Sequence, residues 1–170
     1  MEPILSRKTI LLVDDLPQNI DLLRNILSPG YRLKVALSGE KAISIAQSPS
    51  PPDIILLDVT MPDMDGYEVC EKLKASALTR KIPVIFVTAM TDIENEARGF
   101  EVGAVDYITK PVSPPIVLAR VATHLALYDQ NRVLEEKVRE RTEELAHVRD
   151  VTIHGMAVLA ETRDNETGNH

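Results

Sequence analysis

Apolar residues along this chain follow two rhythms. Short strand-like runs recur near residues 9–13, 32–36, 54–58, 83–88 and 105–109, and between them apolar positions return at helical spacing. The strand-like runs start about 22 to 30 residues apart, the interval that a strand, a crossover helix and a return to a parallel neighbour require. The first, third and fourth runs (Ile10-Leu11-Leu12-Val13, Ile54-Ile55-Leu56-Leu57 and Val84-Ile85-Phe86-Val87) are apolar at every position. Strands covered on both faces read this way. Ile20, Leu23, Ile26 and Leu27 form one helical face, Ala42, Ile43 and Ala46 a second, and Val69, Leu73 and Leu78 suggest a third. Pro17 suits the first turn of the first helix and Gly30 its end, while Ser38-Gly39-Glu40 reads as a capped start for the second. Five strands alternating with helices predict an α/β fold, a doubly wound three-layer sandwich around a parallel sheet.

The fifth helix departs from this rhythm. Ser113 can cap it and Pro114 or Pro115 can occupy its first turn, after which no Gly or Pro occurs until Gly155. That is roughly 40 residues, against the ~10–14 of an average globular helix. From Leu127 onward one heptad row reads Leu127, Leu134, Arg141, Val148, Gly155 and the other Asn131, Val138, Leu145, Thr152, Leu159. Arg141 and Gly155 suit a seam poorly. Asn131 is a polar seam residue of the kind that fixes register in two parallel strands, and Glu144 and Arg149 flank the seam with opposite charge. The expectation is a dimeric coiled coil, with a solvated helix packing on its own domain as the alternative.

Composition narrows the function. With 170 residues the chain accommodates one well-buried domain and an appendage. A net charge of −7 argues against a nucleic-acid or anionic-membrane surface. Cys70 is the single cysteine, which excludes an intrachain disulfide and reads as a small core residue. The first residues lack the basic-then-apolar layout of a signal peptide, and no apolar stretch approaches a membrane span, so a cytoplasmic location is expected.

The chemistry collects where strands end. Asp14-Asp15 follow the first run, Asp58 the third, Thr88 ends the fourth, and Lys110 follows Tyr107-Ile108-Thr109. In open α/β sheets the carboxyl ends of the strands hold the working groups. Three carboxylates brought together there repel one another, and a hard divalent cation such as Mg²⁺ relieves that repulsion. Asp58 would then stand as an in-line nucleophile toward phosphorus, with Lys110 and the Thr88 hydroxyl on phosphate oxygens. Taken singly, each group has a plainer role: Asp14 or Asp15 as a helix cap, Thr88 as a strand hydroxyl, Lys110 as a solvated cation, Tyr107 as core. Their joint spacing favours function.

Asp14-Asp15, Asp58 with Met61-Pro62-Asp63-Met64-Asp65-Gly66, Val87-Thr88-Ala89, Gly103-Ala104 and Lys110-Pro111 resemble the receiver domain of two-component response regulators, over about residues 8 to 126. The resemblance implies a CheY-like, flavodoxin-like sheet in strand order 2-1-3-4-5. It makes Asp58 the phosphoacceptor, Asp15 a direct Mg²⁺ ligand, Asp14 a ligand acting largely through water, and the Thr60 carbonyl a further ligand. Thr88 becomes the switch hydroxyl, Lys110 a phosphate contact, and Tyr107 the aromatic that turns inward when Thr88 moves to the phosphate. It also implies a cis bond before Pro111 and, as partner, a sensor histidine kinase or phosphotransfer protein.

The closing residues, Leu159 to His170, resemble the opening of an HD-GYP domain, a family that hydrolyses cyclic di-GMP at a site of two or more metals such as Fe or Mn. Glu166 and His170 match metal-binding positions of some members and stand four apart, on one helical face. The domain expectation is therefore a receiver over 1–126, a coiled-coil signalling helix over 127–158, and the start of an output domain over 159–170. Three other functions compete. A haloacid-dehalogenase-type phosphatase would need a second Asp two residues after Asp58, where Thr60 stands. A histidine-kinase dimerisation helix with His154 as acceptor lacks the usual Glu and Arg after it. A receiver acting by protein binding alone, with no output enzyme, would be told apart by residues beyond His170.

Overall fold

A computed structural model of the chain describes residues 7–89 and 93–167. Strands β1 (Thr9–Val13), β2 (Arg32–Ala36), β3 (Ile54–Leu57), β4 (Val84–Thr88) and β5 (Asp106–Thr109) alternate with helices α1 (Pro17–Leu27), α2 (Gly39–Ala46), α3 (Gly66–Ala75), α4 (Ile93–Glu101) and α5 (Pro114–Thr167). All pairings are parallel and the sheet order is β2-β1-β3-β4-β5. The order reverses between β1 and β3, whose ends carry the acidic residues.

The unbroken apolar runs are explained by two core layers. Ile10, Leu12, Ile54, Leu56, Ile85, Val87 and Ile108 face Ile20, Leu23 and Leu27 of α1 and Val117, Val121 and Leu125 of α5. The alternate residues Leu11, Val13, Ile55, Leu57, Phe86 and Tyr107 face Ala42 and Ala46 of α2 and Val69, Cys70 and Leu73 of α3. Successive strand residues point to opposite faces, so a sheet covered on both sides confines polar side chains of its inner strands to their ends, as at Thr9 and Thr88. Edge strand β2, by contrast, is buried fully only at Ala36.

Local signals act where expected. Pro17 occupies the first turn of α1, and the Ser38 hydroxyl caps α2 by accepting from the Lys41 N–H. Asp65 caps α3, its Oδ1 accepting from the Glu68 N–H at 2.9 Å. Ser113 precedes α5 and its carbonyl accepts from the Val117 N–H. One assignment is corrected: Leu78 lies beyond the end of α3 and is 74% exposed. Helix α3 ends at Ala75, where the Thr79 hydroxyl donates to the Leu73 carbonyl and Lys74 Nζ donates to the Arg80 and Ile82 carbonyls. These bonds fold the chain away before Leu78 can join the helical face.

The chain divides into two compact units, Met1–Tyr128 and Asp129–His170. In the second, Val133, Leu134, Val138, Leu145, Val148, Met156 and Leu159 are exposed along the helix. Among the described residues no helix is long and apolar enough to cross a membrane.

Candidate functional site

Asp14 and Asp58 each follow directly on a buried strand, and the Asp58 N–H donates to the Val13 carbonyl across the sheet at 2.9 Å. This parallel register sets the two carboxylates side by side. Asp15, half-buried, completes the group. One carboxylate oxygen from each of Asp14, Asp15 and Asp58 lies within 4.8 Å of the others.

Lys110 reaches the cluster from just beyond β5, across β4, where its own N–H donates to the Thr88 carbonyl. Its Nζ stands 2.9 Å from Asp14 Oδ2 and 3.4 Å from Asp58 Oδ2. The other Asp14 oxygen accepts from the Leu16 N–H at 2.9 Å, so Asp14 also orders the turn leading into α1. Asp58 Oδ1 accepts a long bond from the Thr60 N–H at 3.4 Å. Burial pushes the Asp58 carboxyl above its ordinary value; the Lys110 ammonium opposes this, the Asp14 carboxylate adds to it, and the Thr60 N–H opposes it weakly. An all-oxygen donor set of three clustered carboxylates, one of them reluctant to ionise, fits a hard divalent cation.

The loop after Asp58 is shaped by Gly66. A Cβ there would lie 2.8 Å from the Val59 Cα and closer still to the Asp58 carbonyl oxygen, and the Gly66 N–H donates to the Val59 carbonyl. Only a residue without a side chain lets α3 start this near the acceptor strand.

The remaining predicted residues fall around this centre. Thr88 ends β4 and is buried. Tyr107 is buried on β5, edge-on to Phe86 with centroids 6.5 Å apart, and Phe86 in turn meets Tyr67 at 5.3 Å. The Arg98 guanidinium lies 4.3 Å over the Tyr67 ring. The Lys110–Pro111 peptide is cis. Cys70 is packed in the core, where burial pushes its thiol up to about 11. Asp14, Asp15, Asp58 and Lys110 are thus brought into one cluster, with Thr88 and Tyr107 on adjoining strands. Glu166 falls within α5 but its side chain, like the whole of His170, lies outside the described residues.

Sequence reasoning missed a second polar group. Asp106 on β5 pairs with Arg120 and His124 on α5, each at 2.8 Å. An acid opening a strand whose next two residues are buried, and two basic side chains four apart on the next helix, were the available signals.

The geometry defines a parallel α/β domain with an acidic centre and one ammonium at its switch point. A family model, the response regulator receiver domain, matches residues 10–122. The chain belongs to that family. A probable cyclic di-GMP phosphodiesterase of Vibrio cholerae is 47% identical over 98% of this chain, and the match spans 39% of that protein. The response regulator PleD of Caulobacter vibrioides is 43% identical over 66% of this chain and 25% of its own length. Among solved structures, a CheY-like receiver domain from Methanospirillum hungatei superposes with a TM-score of 0.68 at 30% identity, covering 74% of this chain and 99% of that one. The chain therefore spans about two fifths or less of these two curated relatives. Receiver domains interact with histidine kinases or phosphotransfer proteins and generally bind Mg²⁺ at an acidic pocket, the place that Asp14, Asp15 and Asp58 occupy here.

Proposed function

We propose that the chain is a phosphorylation-controlled switch in which Asp58 accepts a phosphoryl group from a phosphohistidine. The observation that carries this reading is the packing of Asp58 against Asp14 and Asp15, with the Lys110 ammonium 3.4 Å from Asp58 Oδ2. An Asp58 carboxylate oxygen attacks phosphorus, the P–N bond of the donor breaks with its electron pair returning to the imidazole nitrogen, the donor leaves as histidine, and the phosphoryl group stays on Asp58 as an acyl phosphate. Asp14, Asp15, Asp58 and the Thr60 carbonyl would hold Mg²⁺, which when bound neutralises phosphate charge. Lys110 turns from its carboxylate partners to a phosphate oxygen, and the Thr88 hydroxyl donates to another. Tyr107, already buried, follows Thr88. The domain needs no general base, and it is not itself a turnover enzyme.

The output reading is that α5 continues as a parallel coiled coil over 127–158, that 159–170 open an HD-GYP domain, and that the complete cytoplasmic protein hydrolyses cyclic di-GMP with Fe or Mn bound in part by Glu166 and His170. Its support is that the Vibrio relative matches through the long helix, over 98% of the chain, whereas PleD matches over 66%. A small phosphodonor with Mg²⁺ should add one phosphate by intact-mass measurement, and Asp58→Asn should abolish it. Persistent labelling of the variant would refute the assignment. Cyclic di-GMP hydrolysis should be absent from the 170-residue chain and present in a longer one, at a rate that responds to the phosphodonor.

A further inference from the structure

The Asp106–Arg120–His124 group lies outside the acidic centre and joins the strand carrying Tyr107 to the helix that leaves the domain. Strand β5 is an outer edge of the sheet, with one side lacking a strand partner among the described residues. On Tyr107 the main chain is bonded instead by side chains. Its N–H donates to Asp106 Oδ1 at 2.8 Å, and its carbonyl accepts from the Arg120 guanidinium. The same guanidinium nitrogen donates to Asp106 Oδ1 at 2.8 Å, and His124 Nε2 meets Asp106 Oδ2 at 2.8 Å. Both carboxylate oxygens are therefore engaged from α5, by residues one helical turn apart.

Sealing an edge strand explains why polar groups gather there. It does not require that they come from a helix 14 and 18 positions downstream of Asp106. The consequence of that arrangement is mechanical. A shift of the Tyr107 backbone cannot occur without moving Arg120 or breaking three charge-assisted contacts. Beside the clamp lies an open cavity of about 330 Å³, bounded by Tyr107, Ile116 and Arg120 on one side and by Glu96 and Phe100 of α4 on the other. Close-packed interiors resist displacement, and here β5 and α5 have room to move together.

We propose that the Asp106–Arg120–His124 clamp is the coupling element that carries displacement of Tyr107 into α5. This rests on the reading of Asp58 as phosphoacceptor and Tyr107 as its follower. The three side chains are positioning residues and touch no reacting atom.

The test uses the full 170-residue chain with Mg²⁺ and beryllium fluoride as the phosphoryl stand-in, read by hydrogen–deuterium exchange. In the unaltered protein, amide protection should change in peptides covering 58–66 and 84–89 and in those covering 114–128. In Asp106→Ala and in Arg120→Ala the first two regions should respond as before, which also reports that the variant is folded. The response of 114–128 should fall about fivefold or more, the lower range of ordinary coupling between sites. Arg120→Ala keeps the Asp106–His124 pair and decides the matter if Asp106→Ala fails to fold. An undiminished response of 114–128 in a variant whose site responds overturns the proposal, as does its absence from the unaltered protein while 58–66 responds. No response at 58–66 in the unaltered protein instead refutes the phosphoacceptor reading.

Discussion

Replacing Asp58 by Asn should stabilise the metal-free protein near neutral pH, although it removes the proposed reacting group. Asp58 is 6% exposed and shares the cluster with Asp14 and Asp15, their nearest oxygens lying within 4.8 Å. At an effective dielectric constant of about 20, two unit charges 4.8 Å apart repel by roughly 3.5 kcal/mol. On the same scale the Lys110 ammonium, 3.4 Å from Asp58, returns roughly 5 kcal/mol. The Lys110 attraction thus offsets most of the carboxylate repulsion, and the penalty for burying the charge leaves the ionised form disfavoured, by roughly 2 kcal/mol. Burial is the largest cause of the raised Asp58 pKa; the Lys110 ammonium opposes it, and the Asp14 carboxylate adds less than Lys110 removes. A carboxyl whose folded-state pKa lies above its unfolded value binds more protons when native. Stability is therefore lost as pH rises from the ordinary carboxylate range through the folded-state pKa, and stays lower above it. Asn carries no charge and should abolish this loss while its amide oxygen still accepts from Lys110. Urea unfolding in EDTA, followed by near-ultraviolet circular dichroism of the buried tyrosines at one fixed protein concentration, should show the variant more stable by about 2 kcal/mol at pH 7. The difference should shrink toward zero as pH falls below the ordinary carboxylate range. Millimolar Mg²⁺ should narrow the gap by stabilising the unaltered protein more. An Asn variant equal or less stable at pH 7 without metal would refute the electrostatic reasoning.

Gly66→Ala should destabilise the fold by about 1–3 kcal/mol or more, since its methyl would collide with backbone at Asp58 and Val59; unfolding midpoints and phosphodonor labelling should fall together. Asp65→Ala should remove the cap of α3 and lower stability by about 1 kcal/mol while leaving labelling of Asp58 intact, as seen by urea unfolding and intact mass. Cutting the chain after residue 126 should weaken or abolish a dimer measured by light scattering. Leu134, Val138, Leu145 and Val148 would otherwise bury apolar side chains worth very roughly 1.5–3 kcal/mol each when fully covered, and an unchanged dimer would place the interface on the receiver unit.

What the sequence alone determined was whatever local chemistry and periodicity encode. Runs such as Ile10–Val13 and Ile54–Leu57 are apolar because a two-sided sheet admits nothing else, so strands and fold class were legible at once. Pro17, Ser38 and the Ser113-Pro114 step marked helix starts because capping involves only neighbouring residues. Asp14, Asp15, Asp58 and Lys110 were legible as a set because each stands at a strand end, and parallel topology brings strand ends together. Leu78 was misassigned because the bonds that turn the chain at Ala75, from Lys74 to the Arg80 and Ile82 carbonyls and from Thr79 back to the Leu73 carbonyl, follow no helical repeat. Tertiary structure alone decided that Lys110 bridges Asp14 and Asp58, partners 96 and 52 positions away in the chain and therefore invisible to any local pattern. It alone wired Tyr107 to Arg120, and Asp106 to Arg120 and His124, because β5 closes the sheet and its outer edge takes hydrogen bonds from whichever helix packs beside it.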